Sequence, residues 1–587
     1  MKRSKRKFKK KLKKISYVIL VIILLLVVFY LISIFIGKNN SEGIIVKYDN
    51  KYIASNDNNV QLYKLVLEEE SEKLVSDIDI VRGTKVKDTK KTITYEDIVY
   101  NNIIVDNKEY YVNKDNLVKD KDKVVMEEYV YTRSATTVLD NKDSIKINGL
   151  TKKGDKLEVL GYDYIDEDGN VNLYKIKTND INGYVYSKYM SISEEEANKN
   201  YNADIYDKIH GSIKNLYNGG EAIKLDFYPN EKIIFKDNIM PDSVYAIYLN
   251  CSENVINNID SYIEFAKSTK INSFVVDIKD NQLPAYDADT FKDLSPTNYE
   301  KAINDSDNYG KAIKKLKDAG FYVIGRITVF KDSYYVNDNK NNAILNKNTS
   351  EPYLHNGSYW PSPYNRDVWY FNVMLAKESV EKFGFNEINF DYVRFPDRMN
   401  SVKDIVELNN VYNEDKVEAI QRFVQYAKDV LHSINTYVSV DVFGETTNST
   451  YTTAYGQYWP AISNEADVIC GMPYPDHFAK NSYGIEKPWN NPYLLMKYWG
   501  SYAKDRQEEI ETPARVRTWI QAYDVMKYVD SNGISYNAKE IEDQVRGLYE
   551  SGLDGGYITW LSNSSLDKYN MQKEAFNIDY RKEYIDE

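Results

Sequence analysis

Three regimes of hydrophobic and polar positions succeed one another along the chain. Residues 17–36 form an apolar run without a charge, long enough as a helix to cross a hydrocarbon layer of ~30 Å. Between about 44 and 190 the pattern becomes short alternating stretches separated by charged turns. Alternation is clearest at 156–160 and 173–178, with Gly at the turns, and predicts small all-β barrels. From 191 to 242 it loosens, and Asn218-Gly219-Gly220 marks a turn. After Pro241, apolar strand-like runs alternate with segments of helical period. Strands are expected at 244–250, 273–279, 321–328, 387–391, 437–443, 467–473, 515–521 and 556–561. Helices such as 310–319 and 367–383 end at Gly320 and Gly384, ordinary helix stops. Eight β-then-α units predict an α/β fold, a closed parallel (β/α)8 or TIM barrel. No G-x-G-x-x-G or P-loop follows the first strand, which argues against an open nucleotide-binding sheet. The expected domains are a basic tail (1–16), a transmembrane helix (17–36), all-β domains at 44–120 and 125–192, a linker (193–240) and the barrel (241–580).

The strand interiors carry the chemistry. Successive side chains face opposite ways. Phe274, Val276 and Ile278 thus oppose Ser273, Val275, Asp277 and Lys279; Ile388 and Phe390 oppose Glu387, Asn389 and Asp391. Val438, Val440 and Val442 oppose Tyr437, Ser439 and Asp441, and Val516, Thr518 and Ile520 oppose Arg515, Arg517, Trp519 and Gln521. Helices packed outside require the apolar set outward, which sends the polar set into the lumen. Most such lumens hold Val, Ile and Leu. Here the acids and bases must satisfy one another or meet a polar ligand, and the carboxylates fall at the C-terminal strand ends, where barrel active sites lie.

Composition and charge narrow the partners. The formal charge is -12, yet residues 2–14 carry ten Lys or Arg and no acid. That basic cluster predicts a cytoplasmic N-terminus and an extracellular remainder, a single-pass signal-anchor at the cell membrane. The acidic body repels phosphate backbones, so no nucleic acid is expected. Cys251 and Cys470 read as two buried thiols. With four scattered His residues, neither a metal site nor a cofactor is expected. Tyr is abundant (54), and exposed Tyr suits stacking on sugars.

Two carboxylates beside a bond, with aromatic platforms, are what glycoside cleavage requires. Asp391 and Asp441 end neighbouring strands, roughly 4.8 Å apart. Asp391, with Arg394 nearby, is expected ionised and nucleophilic; Asp441 or Glu445 is the expected acid. Asp277, Lys279, Arg326, Arg394, Tyr392, Tyr474, His477, Trp519, Gln521 and Trp560 are the candidate substrate-binding residues; the alternatives are that Asp277 and Lys279 pair across the barrel mouth, that Arg326 and Arg394 are structural partners of Asp391 and Asp441, and that Tyr392, Tyr474, Trp519 or Trp560 pack the core. Trp369 is expected to pack a helix. The competing reading is a glycan-binding or cell-wall scaffold protein without turnover.

Two resemblances add to this. NFDYVRFPD (389–397), in order with FVVDIKD (274–280), YVIGRITVFKD (322–332), VSVDVFG (438–444), GMPYPDHF (471–478) and YITWLSNSS (557–564), resembles a family of glycoside-hydrolase-like barrels. The match runs over roughly 240–580 and implies hydrolysis of O-glycosyl bonds. The stretch 130–190, closing in GYVYSKYM, resembles bacterial SH3-like domains. IVRGTKVKD and EYYVNKDNLV within 44–119 echo it as a tandem copy. That likeness implies binding to cell-wall peptides or glycans. The expected partner is a polysaccharide or peptidoglycan-type glycan, and the expected state a monomer.

Overall fold

The computed structural model describes residues 20–30, 48–68, 71–178, 180–213, 216–448 and 454–585. Residues 20–30 are helical and exposed. Among the described residues no helix is long and apolar enough to cross a membrane, and the rest of the expected 17–36 span lies outside them. The chain divides into two compact units, Met1–Glu127 with Tyr164–Val171, and Glu128–Asp163 with Asn172–Glu587.

The first unit holds a seven-stranded antiparallel sheet running from Asp49–Ile53 to Leu117–Val118. Counted along the chain, its strands lie in the order 3-2-6-5-4-1-7. The second unit begins with another seven-stranded antiparallel sheet, from Tyr129–Thr132 to Met190–Ser191, whose strands lie in the same order. In both, a single 3-10 turn, Lys114–Asn116 or Ser187–Tyr189, precedes the seventh strand. One topology is therefore used twice.

The parallel sheet that follows contains nine strand segments: β1 (Val244–Leu249), β2 (Ser273–Asp280), β3 (Tyr322–Thr328), β4 (Glu387–Asp391), β5 (Tyr437–Phe443), β6 (Val468–Met472), β7 (Arg515–Val516), β8 (Thr518–Gln521) and β9 (Gly556–Trp560). Their order is β7-β6-β5-β4-β3-β2-β1-β9-β8. The seventh strand expected from the sequence is thus two segments interrupted at Arg517. The first pairs with β6 and the second with β9, so the ring is nearly closed. Around it pack α1 (Ile259–Lys267), α2 (Ser306–Asp318), α3 (Arg366–Phe383), α4 (Lys416–His432), α5 (Trp459–Glu465), α6 (Pro492–Gln507), α7 (Ala538–Glu550) and α8 (Leu566–Met571).

Local sequence explains these limits. Asp305 caps α2 by accepting from the Asn308 amide, which starts the helix before Gly310. Asn365 caps α3, and Gly384 at φ 72 ends it. Capping boxes Asp415/Glu418 and Asn537/Glu540 open α4 and α7. Gly556, at φ 96, starts β9 against β1: a Cβ there would lie 2.0 Å from the Val244 carbonyl oxygen.

The outward faces of the strands, including Phe274, Val276, Ile388, Phe390, Val438 and Val440, join the main core under the helices. The lower lumen is filled by a separate cluster that includes Val244, Val275, Ile324, Tyr437, Val468 and Ile558. Segment 193–240 closes this end: Phe235 packs 4.8 Å from Tyr437, and Asn238 donates to the Asn386 carbonyl. Arg517, freed by the strand break, makes a 2.7 Å ion pair with Glu387, both at 0% exposure. Tyr322 donates to the other Glu387 oxygen. The polar lumen of the sequence reading is thus layered: an apolar floor, one buried pair, and the remaining charges at the mouth. Both cysteines are buried and unbonded.

Candidate active site

In-register pairing of Asn389 with Ser439 places Asp391 and Asp441, two residues further along each strand, side by side on the lumen face. Arg326 of β3 lies beside them. Its Nη1 donates to Asp277 Oδ1 at 2.7 Å and its Nη2 to Asp391 Oδ2 at 2.5 Å. The guanidinium sits 5.3 Å over the Trp560 ring. Tyr248 donates to the second oxygen of Asp277. Arg326, not the expected Arg394, is therefore the cation that fixes Asp391. The other Asp391 oxygen accepts the Tyr392 amide at 2.6 Å. Tyr392 holds φ 53, a left-handed backbone that costs about 1–3 kcal/mol in a non-glycine residue.

Asp441 is held differently. Its Oδ1 accepts Asn389 Nδ2 at 2.8 Å and Trp519 Nε1 at 2.7 Å, while its buried Oδ2 has no hydrogen-bond partner. Burial, and then the charge of Asp391, push its pKa well above the carboxylate range, against Asn389, Arg326 and Trp519. Asp441 is consequently the protonated member of the pair over a wider pH range than a free carboxyl. Burial likewise raises Asp277 to about 6, with Arg326 opposing. For Asp280, burial is outweighed by Arg326, Thr328 and the Asn281 amide, and its pKa falls.

Exposure is graded across the site. Asp391 and Asp280 have side-chain exposures of 9% and 26%, Trp560, Tyr392 and Phe443 are half-buried, and Asp441 is at 1%. Arg394 is buried and stacks on Phe443, Tyr392 and Trp360 at 4.2, 4.9 and 5.1 Å; burial lowers its pKa. It braces the loop after β4. Tyr474 is nearly buried, 5.4 Å from His477, whose exposed ring meets Asp476 at 2.8 Å. Glu445 is exposed beyond the end of β5 and hydrogen-bonded to Tyr455, whose hydroxyl is pushed up to about 12 by burial and by that carboxylate.

Several expected ligand contacts have other duties. The register of β2 shifts between Asp277 and Lys279, where the strand folds back through Leu283–Pro284. Lys279 is thereby turned to the helix side. It pairs with Asp332 at 2.8 Å, at 0% exposure, and lies 5.3 Å over Phe371 of α3. Gln521 is fully buried; its carbonyl accepts the Asp476 amide and its amide donates to the Tyr523 carbonyl, so it ties down the loops after β6 and β8. Trp519 is a buried partner of Asp441, not an open platform. Asp277 is a buried partner of Arg326. Asn389, placed on the lumen face by alternation but not named as a site residue, belongs to the site, and so do Tyr248, Asp280 and Thr328, which escaped the sequence reading. Alternation across Asn389 and Asp391 was the available signal for the first, and for Asp280 the bulge left none. Trp369 packs at 0% exposure, its Nε1 donating to the Pro363 carbonyl. A separate 320 Å³ cavity, lined in part by Arg133, Lys153, Asp226, Tyr228 and Gln425, holds none of the mouth carboxylates.

A nearly closed parallel α/β barrel with a buried carboxyl of raised pKa and an Arg-fixed carboxylate at its C-terminal mouth is the class of protein that fold and site define. The chain belongs to the DUF4015 family, described as "Putative glycosyl hydrolase domain", whose family model matches residues 246–566. No curated protein matches it significantly. Among solved structures, a hypothetical protein from Ruminiclostridium thermocellum ATCC 27405 is 30% identical, over 33% of this chain and 97% of that one, with a TM-score of 0.28. The glycoside hydrolase domain of PgaB (BpsB) from Bordetella bronchiseptica is 12% identical over 58% of this chain and 100% of that one, TM-score 0.41. The spore cortex-lytic enzyme SleL of Bacillus cereus is 15% identical over 58% and 76%, TM-score 0.35.

Proposed function

We propose that the barrel hydrolyses O-glycosyl bonds of a cell-wall or surface polysaccharide, with Asp441 as proton donor and Asp391 as the ionised partner. The observation that carries this reading is the asymmetry of the pair. Burial and the neighbouring Asp391 raise the pKa of Asp441 well above the carboxylate range, and its buried Oδ2 has no hydrogen-bond partner; Asp391 is the less buried of the two and is oriented by Arg326 and its own loop amide. Glycoside cleavage needs that division. As the C–O bond breaks, the Asp441 proton passes to the leaving oxygen. Asp391 bonds to the anomeric carbon or takes a proton from the attacking water. Trp560 and Tyr392 supply ring faces for sugar, and Asp280 accepts from sugar hydroxyls. The repeated β-modules act as SH3-like wall-binding domains, and residues 17–36 tether the chain to the membrane with the barrel outside.

The test is release of reducing ends from purified cell-wall and exopolysaccharide glycans by the full chain in mild detergent. Asp391→Asn and Asp441→Asn are each expected to lower the rate by about 10²–10⁴-fold. Full activity in Asp391→Asn removes the assignment. Glycan binding without release by the wild type would leave a binding module in place of an enzyme.

A further inference from the structure

Aromatic rings lead away from the mouth one after another. Tyr474 of the lumen cluster lies 5.4 Å from His477. The next residue, Phe478, lies 5.8 Å from Tyr483, and Tyr483 5.5 Å from Tyr502 on α6. Tyr474 is 8% exposed and Tyr502 50%, with Tyr498 one helical turn back at 45%; between them His477 is exposed and Phe478 and Tyr483 are half-buried. Packing does not require this stripe, because Leu495, Met496, Trp499 and Ala503 already bury the inner face of α6. Two tyrosines at i and i+4 on the outer face of a helix are neighbours on a side that is ordinarily polar. Tyr483, which joins the loop to the helix, holds φ 52, a left-handed conformation that is strained for a bulky residue.

We infer that this track is a second carbohydrate-binding surface, which takes a further stretch of the polysaccharide whose cleavage was proposed above and on which this inference rests. A pyranose has an apolar C–H face and a polar rim, and a half-exposed tyrosine offers the same combination of ring face and hydroxyl. The helix advances about 6 Å between Tyr498 and Tyr502, comparable to one sugar unit. Continuity with the mouth selects the occupant: rings that begin beside the lumen and run outward suit a chain that also enters the lumen. A chain bound along both surfaces is cut internally, and the enzyme prefers long polymers to short fragments.

The experiment is co-sedimentation of the full chain in mild detergent with insoluble cellulose, chitin, xylan and peptidoglycan sacculi. The wild type is compared with the double variant Tyr498→Ala/Tyr502→Ala, with Val411→Ser as an exposed control off the track, and with Asp391→Asn. The double variant is expected to lose about tenfold or more in affinity for the polymer bound by the wild type, while Val411→Ser binds as the wild type does. Equal binding by the double variant, or a wild type that sediments with none of the four polymers, overturns the track. Undiminished release of reducing ends by Asp391→Asn sinks the hydrolase assignment instead, and leaves the track's binding result standing.

Discussion

Asp441 is held in a way that opposes folding. A carboxyl buried at 1% exposure, beside a second carboxylate and with one oxygen unpartnered, binds its proton more tightly folded than unfolded. Stability therefore falls as pH rises from the unfolded value near 4 through the raised folded value, and the penalty is complete above it. An amide at this position keeps the bonds from Asn389 and Trp519 and carries no charge. Asp441→Asn is thus expected to melt about 1–3 °C above the wild type at pH 8, to match it at pH 4, and to be inactive. A melting temperature that is lower at pH 8 would mark the residue as structural. Arg326 gives the opposite result. Removing it leaves Asp277 and Asp391 buried without their cation, and Arg326→Met is expected to lose about 3–5 kcal/mol in urea unfolding. Side-chain alternation made Asp391 and Asp441 legible before any fold was known, because both sit in regular strand. Lys279 and Asp280 were not, since a one-residue shift in β2 exchanges which of them faces the ligand. Nor could alternation say that Trp519 and Gln521 serve other residues, since their partners lie far away in sequence, at Asp441 and in the Asp476 loop.

At the scale of elements, the ring depends on contacts that periodicity does not show. The strand pattern placed the barrel strands to within a residue or two, because apolar runs bounded by Gly and polar turns repeat eight times. It read 515–521 as one strand, whereas Arg517 turns into the lumen to meet Glu387 and splits the ladder. Ring closure also passes through Gly556, where β9 meets β1 so closely that only hydrogen fits. Gly556→Ala meets both a clash with the Val244 backbone and a positive φ. It is expected to destabilise the barrel by about 2 kcal/mol or more in urea unfolding, with the reducing-end assay falling in step with the folded fraction. Unchanged stability would mean that β1 and β9 separate here at little cost. The N-terminal sheets were legible only in part. Matching word patterns suggested a second copy, but the shared order 3-2-6-5-4-1-7 depends on pairings between distant strands, which composition and alternation do not encode.

The whole molecule couples a catalytic-type barrel to a repeated β-module and a basic, then apolar, leader. Ten positive charges in residues 2–14 followed by an uncharged stretch at 17–36 set an orientation. Moving that cluster across a bilayer is opposed, so in the membrane-tethered arrangement proposed above the remainder lies outside. On this arrangement a protease added to intact cells digests the barrel but leaves the leader with the membrane. The full chain is expected to resist carbonate extraction, because an uncharged run of twenty residues in which Ser33 is the single small polar one does not depend on ionic contacts once in lipid. Replacing Leu25 and Val27 together by Arg puts two charges at the centre of the run, each opposed by about 2.5–3.5 kcal/mol, and is expected to shift the protein out of the membrane fraction. A barrel protected from external protease, or a wild type released by carbonate, would place the chain elsewhere. The wall polysaccharide proposed as substrate would then be out of its reach.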